Sequence, residues 1–249
     1  MMRIGMAAAV SGLALGLAIA PAAQARKVRH TPTAAASVSA PAPPEPPDAV
    51  AASLAQWVTA TDDNHDHAFA IIDKVAARIW VFDAFGELTA TAPVLVGSAV
   101  GDDSAPGVGE EKIADIPPDQ RTTPAGRFVA GFAPSAEGRS VLWVDYADGI
   151  SMHPVVTSNP KERRPQRLKS PTPDDNRISY GCINVAAGFY RTVIRPTFLD
   201  GRGVVYVLPE VKPVSVVFPR FATWTEAEAV PAALSPSAPA VAADASATQ

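Results

Sequence analysis

The chain reads as a mainly β protein, an all-β or β-rich sandwich carrying one short helix, and three observations lead there. Short runs rich in β-branched and aromatic residues recur between 68 and 218, separated by Gly, Pro, Asn and Asp. The run Val204-Val205-Tyr206-Val207-Leu208 is continuously apolar, as expected of a strand buried on both faces. Clear helical spacing within the core is confined to 185–195, where Val185, Phe189 and Val193 repeat every four residues beside Tyr190 and Ile194, and Pro196 is expected to stop the helix.

Taken in order, residues 1–25 have the pattern of a signal peptide: Arg3, an apolar stretch from Ile4 to Ala20, and a small-x-small cleavage site at Ala23-Gln24-Ala25. Cleavage before Arg26 would deliver the mature protein to the periplasm or cell envelope without stable membrane insertion; an uncleaved anchor is the alternative. Residues 26–49 are a Pro/Ala-rich linker, too poor in apolar surface to offset its ordering entropy. Asp48 is placed to cap a short helix with Val50, Leu54, Trp57 and Val58 on one side. Strands are expected at 68–73, 78–83, 87–96, 126–132, 140–146, 149–153, 203–208 and 214–218, with Asp83-Ala84-Phe85-Gly86 as a hairpin turn. Residues 50–220 suffice for one domain with its own core, and 231–249 read as a disordered Ala/Pro/Ser-rich tail. Two long polar segments, 97–120 and 154–177, interrupt the strands; such loops are either functional lids or unstructured. A net charge of -4 gives no ground for a nucleic-acid partner.

The chemistry gathers at Ile178-Ser179-Tyr180-Gly181-Cys182-Ile183-Asn184, which holds the chain's single cysteine. An exported cysteine without a disulfide partner is either a small buried hydrophobe or a reactive thiol. The helix expected from 185 onward would place its positive end next to Cys182 and favour the thiolate. Acyl transfer by cysteine also needs a base, a group to orient that base and donors for the oxyanion. His153 is the candidate base, because His30 falls in the linker and His65 and His67 precede the first strand. The N–H groups of Gly181 and Cys182 are the expected oxyanion donors. Asn184 reads equally as a helix cap or a substrate contact. The Asp62–His67 run is read as a solvated loop, and no metal or cofactor is expected.

An upstream histidine followed by Ser/Thr-x-Gly-Cys, an apolar residue and Asn resembles the L,D-transpeptidase catalytic domain of the YkuD type. Thr123-Pro124-Ala125-Gly126-Arg127-Phe128, the opening hairpin at 69–82 and the closing strand at 203–207 extend the resemblance over roughly 67–212. It implies a sandwich of two packed mixed sheets and a cysteine acyl-enzyme formed on peptidoglycan stem peptides. The acceptor would be another stem, a lysine of an outer-membrane lipoprotein, a free D-amino acid or water. It further implies that a main-chain carbonyl just after His153, that of Pro154, orients the imidazole. Ser179, Tyr180 and Asn184 occupy polar motif positions, with Tyr180 where the family most often has a second histidine. The interval from His153 to Ser179 is longer than the family's, and a basic loop fills it. There Arg163, Arg164 and Arg167 either hold stem carboxylates in bidentate fashion or form a solvated face. The competing readings are a non-catalytic peptidoglycan-binding module and a hydrolytic carboxypeptidase or amidase.

Overall fold

A computed structural model describes residues 44–199 and 201–229; the signal-peptide pattern, most of the linker and the 231–249 tail lie outside the described residues. Helix α1 (Ala49–Ala60) comes first, with Asp48 Oδ1 accepting the Ala51 N–H at 2.8 Å as its cap. Leu54, Trp57 and Val58 turn inward as expected, whereas Val50 faces solvent.

The strands among the described residues are β1 (Phe69–Asp73), β2 (Arg78–Phe82), β3 (Leu88–Pro93), β4 (Val96–Gly97), β5 (Gly126–Pro134), β6 (Ser140–Asp145), β7 (Ile150–Pro154), β8 (Arg177–Ser179), β9 (Ile183–Val185) and β10 (Gly203–Val207). Eight form one mixed sheet in the order β3-β2-β1-β10-β5-β6-β7-β9, while β4 and β8 pair in parallel beside it. Residues 126–130 of β5 pair with β10 and residues 131–134 with β6, so the sheet folds over along this one strand. Its two edges then meet: Leu95, just past β3, exchanges both backbone hydrogen bonds with Asn184 of β9, at 2.8 and 2.9 Å. The two expected layers are therefore halves of one nearly closed sheet, which leaves few unpaired strand edges.

Closure creates two cores. Ile72, Val81, Leu142, Met152, Ile183 and Phe198 fill the inside. On the outer face of β1, β2 and β10, Phe69, Ile71, Trp80 and Tyr206 pack beneath α1 and the C-terminal helix Pro219–Ala229. β10 lies between the two, and all five of its residues are buried, as its unbroken apolar run requires.

Three local expectations are corrected. Residues 214–217 form a helical turn rather than a strand; Val214 and Val217, three apart, pack on the outer core while Val216 faces solvent, so packing overrides β-branched composition. The helix expected from 185 begins at Ala187, because Ile183–Val185 is a parallel strand beside β7. Nor does Pro196 stop it: one π turn, Tyr190–Ile194, carries the spiral into Arg195–Phe198, and the widened turn accommodates the missing proline N–H.

Candidate active site

Strands β7 and β9 run side by side in parallel, with His153 opposite Asn184. Side chains two apart share a face of a strand, so Ser151 and His153 point the same way from β7. Cys182 stands immediately before β9 and meets both. Its Sγ lies 3.6 Å from Ser151 Oγ and 3.7 Å from the Gly149 carbonyl, to which the thiol can donate. His153 Nδ1 is 2.8 Å from the Pro154 carbonyl, and its Nε2 is 3.2 Å from Asn184 Nδ2.

The turn before the cysteine is held from three directions. Ser179 Oγ accepts the Gly181 N–H at 3.1 Å. Thr123 Oγ1 donates to the Gly181 carbonyl at 2.7 Å and accepts the Gly97 N–H at 2.8 Å. Thr123 is itself held through its carbonyl by the buried ammonium of Lys74 at 2.9 Å, and that ammonium also pairs with Asp102 at 2.7 Å. Gly181 has φ 122°, and a Cβ there would sit 2.7 Å from the Thr122 carbonyl oxygen, so only glycine fits.

Burial alone pushes the Cys182 thiol up and the His153 imidazole down. Their mutual contact overrides it: His153, with help from Ser151, brings the thiol below its ordinary value, and Cys182 raises the imidazole above its own. Both side chains line a cleft of about 690 Å³ whose walls include Trp143, Ser135, Val155, Tyr190 and Ile113. The arrangement offers a nucleophile, an adjacent base, a carbonyl that orients the base, and the Cys182 N–H, which has no protein acceptor among the described residues.

Several expected roles change. Cys182 precedes a strand, so no helix terminus supports its thiolate; the neighbouring imidazole and hydroxyl do. The Gly181 N–H is taken by Ser179 and is not free to meet an oxyanion, which leaves that part to Cys182. Asn184 caps no helix; it is fully buried in β9. Tyr180 turns away from the cleft, its ring stacked under the Arg121 guanidinium at 4.1 Å, while Arg121 also donates to the Ile116 carbonyl. The three arginines do not line the cleft. Arg163 and Arg167 border a separate cavity of about 320 Å³, and Arg167 is spent on the carbonyls of Glu162 and Asp175. Arg164 is buried against Glu162 and Asn184. Sequence reasoning missed Ser151, which period-two spacing from His153 on the same strand could have found. It also passed over the buried Lys74, which carries no motif.

No family model matches the chain, and no curated protein matches it. Among solved structures, it is similar to the catalytic domain of an L,D-transpeptidase from E. faecium, with 15% identity over 57% of this chain and 97% of that one and a TM-score of 0.35. Mycobacterium tuberculosis L,D-transpeptidase 1 is 15% identical over 57% of this chain and 61% of that one, with a TM-score of 0.31. The helical cell shape determining protein Pgp2 of Campylobacter jejuni is 14% identical over 72% of this chain and 64% of that one, with a TM-score of 0.38. The chain thus spans nearly all of the first but less than two thirds of the other two. Identities and scores this low describe a likeness in outline and leave the chemistry to the residues themselves.

Proposed function

We propose that this protein is an exported cysteine L,D-transpeptidase of the periplasm or cell envelope, acting on peptidoglycan stem peptides through a thioester. One observation carries the reading: the sole cysteine lies in a cleft beside an imidazole whose other nitrogen is fixed by the Pro154 carbonyl. The motif resemblance supplies the substrate class.

In this mechanism His153 Nε2 takes the thiol proton as Sγ attacks the carbonyl that joins the third stem residue to the terminal D-amino acid. The Cys182 N–H meets the oxyanion. Such a donor acts only where charge develops in the transition state. The imidazolium then gives its proton to the departing amine, and the thioester remains. An incoming amine attacks the thioester, its proton passes to His153, and the thiol is restored. Splitting amide exchange into two acyl transfers replaces one high barrier by two lower ones.

Incubation with a defined disaccharide-tetrapeptide, read by mass spectrometry, tests the proposal. The expected products are the released terminal D-amino acid and a stem joined to a new amine, both lost in Cys182→Ala. Release with water as the only acceptor makes the protein a carboxypeptidase. Binding without any turnover favours the wall-binding module, and undiminished turnover by Cys182→Ala rules out the cysteine mechanism.

A further inference from the structure

Arg164 belongs to the loop that lengthens the interval between His153 and the cysteine block, and acyl transfer itself has no use for it. It is nevertheless only 8% exposed. Its Nε pairs with the Glu162 carboxylate, and its Nη1 donates to Asn184 Oδ1 at 2.6 Å. A guanidinium has donors and no acceptors. Asn184 must therefore present its oxygen to Arg164 and its NH₂ to the opposite side. There the NH₂ meets His153 Nε2 at 3.2 Å and the Cys182 carbonyl at 3.4 Å. An NH₂ only donates, so Nε2 must offer its lone pair. The ring proton then sits on Nδ1, where the Pro154 carbonyl accepts it. An imidazolium at this position would turn an Nε2–H against the amide N–H.

We propose that Arg164 is a positioning residue that, through Asn184, holds His153 as the neutral Nδ1–H tautomer, so that the site rests as thiol and imidazole and the thiolate forms as substrate is attacked. This rests on the cysteine-nucleophile reading above but not on the identity of the substrate. The groups facing His153 are Cys182 from the turn before β9, Arg164 with Glu162 from the basic loop, Glu137 and Arg139 from the β5–β6 hairpin, and Tyr190 from the helix after β9. Cys182 and Glu137 favour the imidazolium, while the Arg164 cation opposes it. Among these groups Arg164 alone also acts through a buried hydrogen-bond chain. A resting thiol is a poorer target for oxidants than a thiolate, which suits the chain's single cysteine.

The test is the pH dependence of Cys182 alkylation by iodoacetamide in the full chain, read by intact mass, with circular dichroism as the check on folding. In Arg164→Met, Asn184 is free to turn its oxygen toward an Nε2–H, which stabilises the thiolate–imidazolium pair. Alkylation at pH 6 should then speed up about tenfold, the midpoint moving down by about one pH unit. Arg164→Lys keeps a cation at the same place and should stay close to the parent profile. If the unpaired Glu162 unfolds Arg164→Met, the double variant Arg164→Met/Glu162→Gln is read in the same way. Nitrogen-15 NMR of the parent protein supplies an arm free of variants: His153 should show Nδ1 protonated and Nε2 unprotonated at neutral pH. An unchanged profile in a folded Arg164→Met, or a protonated Nε2 in the parent at neutral pH, overturns the inference. A shifted profile without muropeptide turnover keeps it and sinks the transpeptidase reading instead.

Discussion

Thr123→Val removes a hydroxyl and replaces it with a methyl of similar size, so its consequences are those of two lost hydrogen bonds. Thr123 is 1% exposed, and its Oγ1 serves the Gly181 carbonyl and the Gly97 N–H at once. Neither backbone group can retreat to another partner. The chain at Gly97 is so close to its neighbour that a Cβ there would lie 2.2 Å from the Arg121 carbonyl oxygen, and Gly181 is pinned against Thr122. Each buried polar group left unsatisfied costs about 1–3 kcal/mol, so the variant should lose roughly 2–6 kcal/mol of stability. That is a large part of the ~5–15 kcal/mol that a domain of this kind holds. The Gly181 carbonyl and the Cys182 N–H belong to one planar peptide unit, so releasing the first lets the second swing away from the oxyanion. Loss of one such donor lowers kcat by about 10²–10³-fold; a donor that swings but is not removed should cost roughly tenfold. Urea unfolding and stem-peptide turnover measure the two effects, with Thr123→Ser, which keeps both bonds, as the control. A Thr123→Val protein within about 0.5 kcal/mol of the parent would refute the reasoning, since that is the range of an uninvolved surface position.

Two other outcomes are expected. Burial pushes the Asp102 carboxyl up, but the N–H of Lys212, the Lys74 ammonium and the N–H groups of Glu210 and Val211 bring it down to about 2 from 3.8. The folded value lies below the unfolded one, so its contribution is complete above the unfolded value and is lost as pH falls toward 2. The unfolding free energy of the parent, from urea curves, should therefore fall by roughly 2 kcal/mol between pH 6 and pH 2, a loss that Asp102→Asn, already weaker at pH 6, does not show; parallel pH dependences would refute this. Tyr180→Phe keeps the ring under Arg121 and should leave kcat and stability near the parent's, whereas Tyr180→Leu should lose about 0.5–1 kcal/mol and raise KM, as the 113–121 segment that brings Ile113 to the cleft loosens. A large fall in kcat for Tyr180→Phe would give the phenol a chemical role that its orientation does not suggest.

Most strands were legible because their residues carry the signal locally: β1 is apolar up to its last residue, Asp73, β10 has no polar break, and Asp83 and Gly86 mark the turn after β2. Cys182 and His153 were legible as residue types in a motif. β9 was not, because it is three residues long with a buried asparagine at its centre, and its strand character comes from pairing with β7 thirty residues earlier. The same distance hid Arg164. In sequence it is one of five cations in a loop, and a charge run normally means a solvated face. Its burial depends on an acceptor twenty residues away, Asn184, which only the folded sheet brings within reach. The turn at 214–217 misled for the opposite reason: its local composition favours strand, but no neighbouring edge is offered to it.

Asn184 joins the fold to the chemistry. Its backbone closes the sheet by exchanging two hydrogen bonds with Leu95, and its side chain reads His153 on one side and Arg164 on the other. Two residues beyond Leu95, Gly97 passes its N–H to Thr123, which in turn holds the carbonyl before Cys182. The segment that completes the sheet is therefore also the one against which both Cys182 and His153 are set. A polar side chain at a buried closing position is costly unless every one of its groups is satisfied. Here the partners that satisfy it are the His153 imidazole, the carbonyl of Cys182 and one loop cation. An unclosed sheet would leave Asn184 without its backbone partners and His153 without a fixed tautomer, so the thiol should become competent only in the fully folded chain.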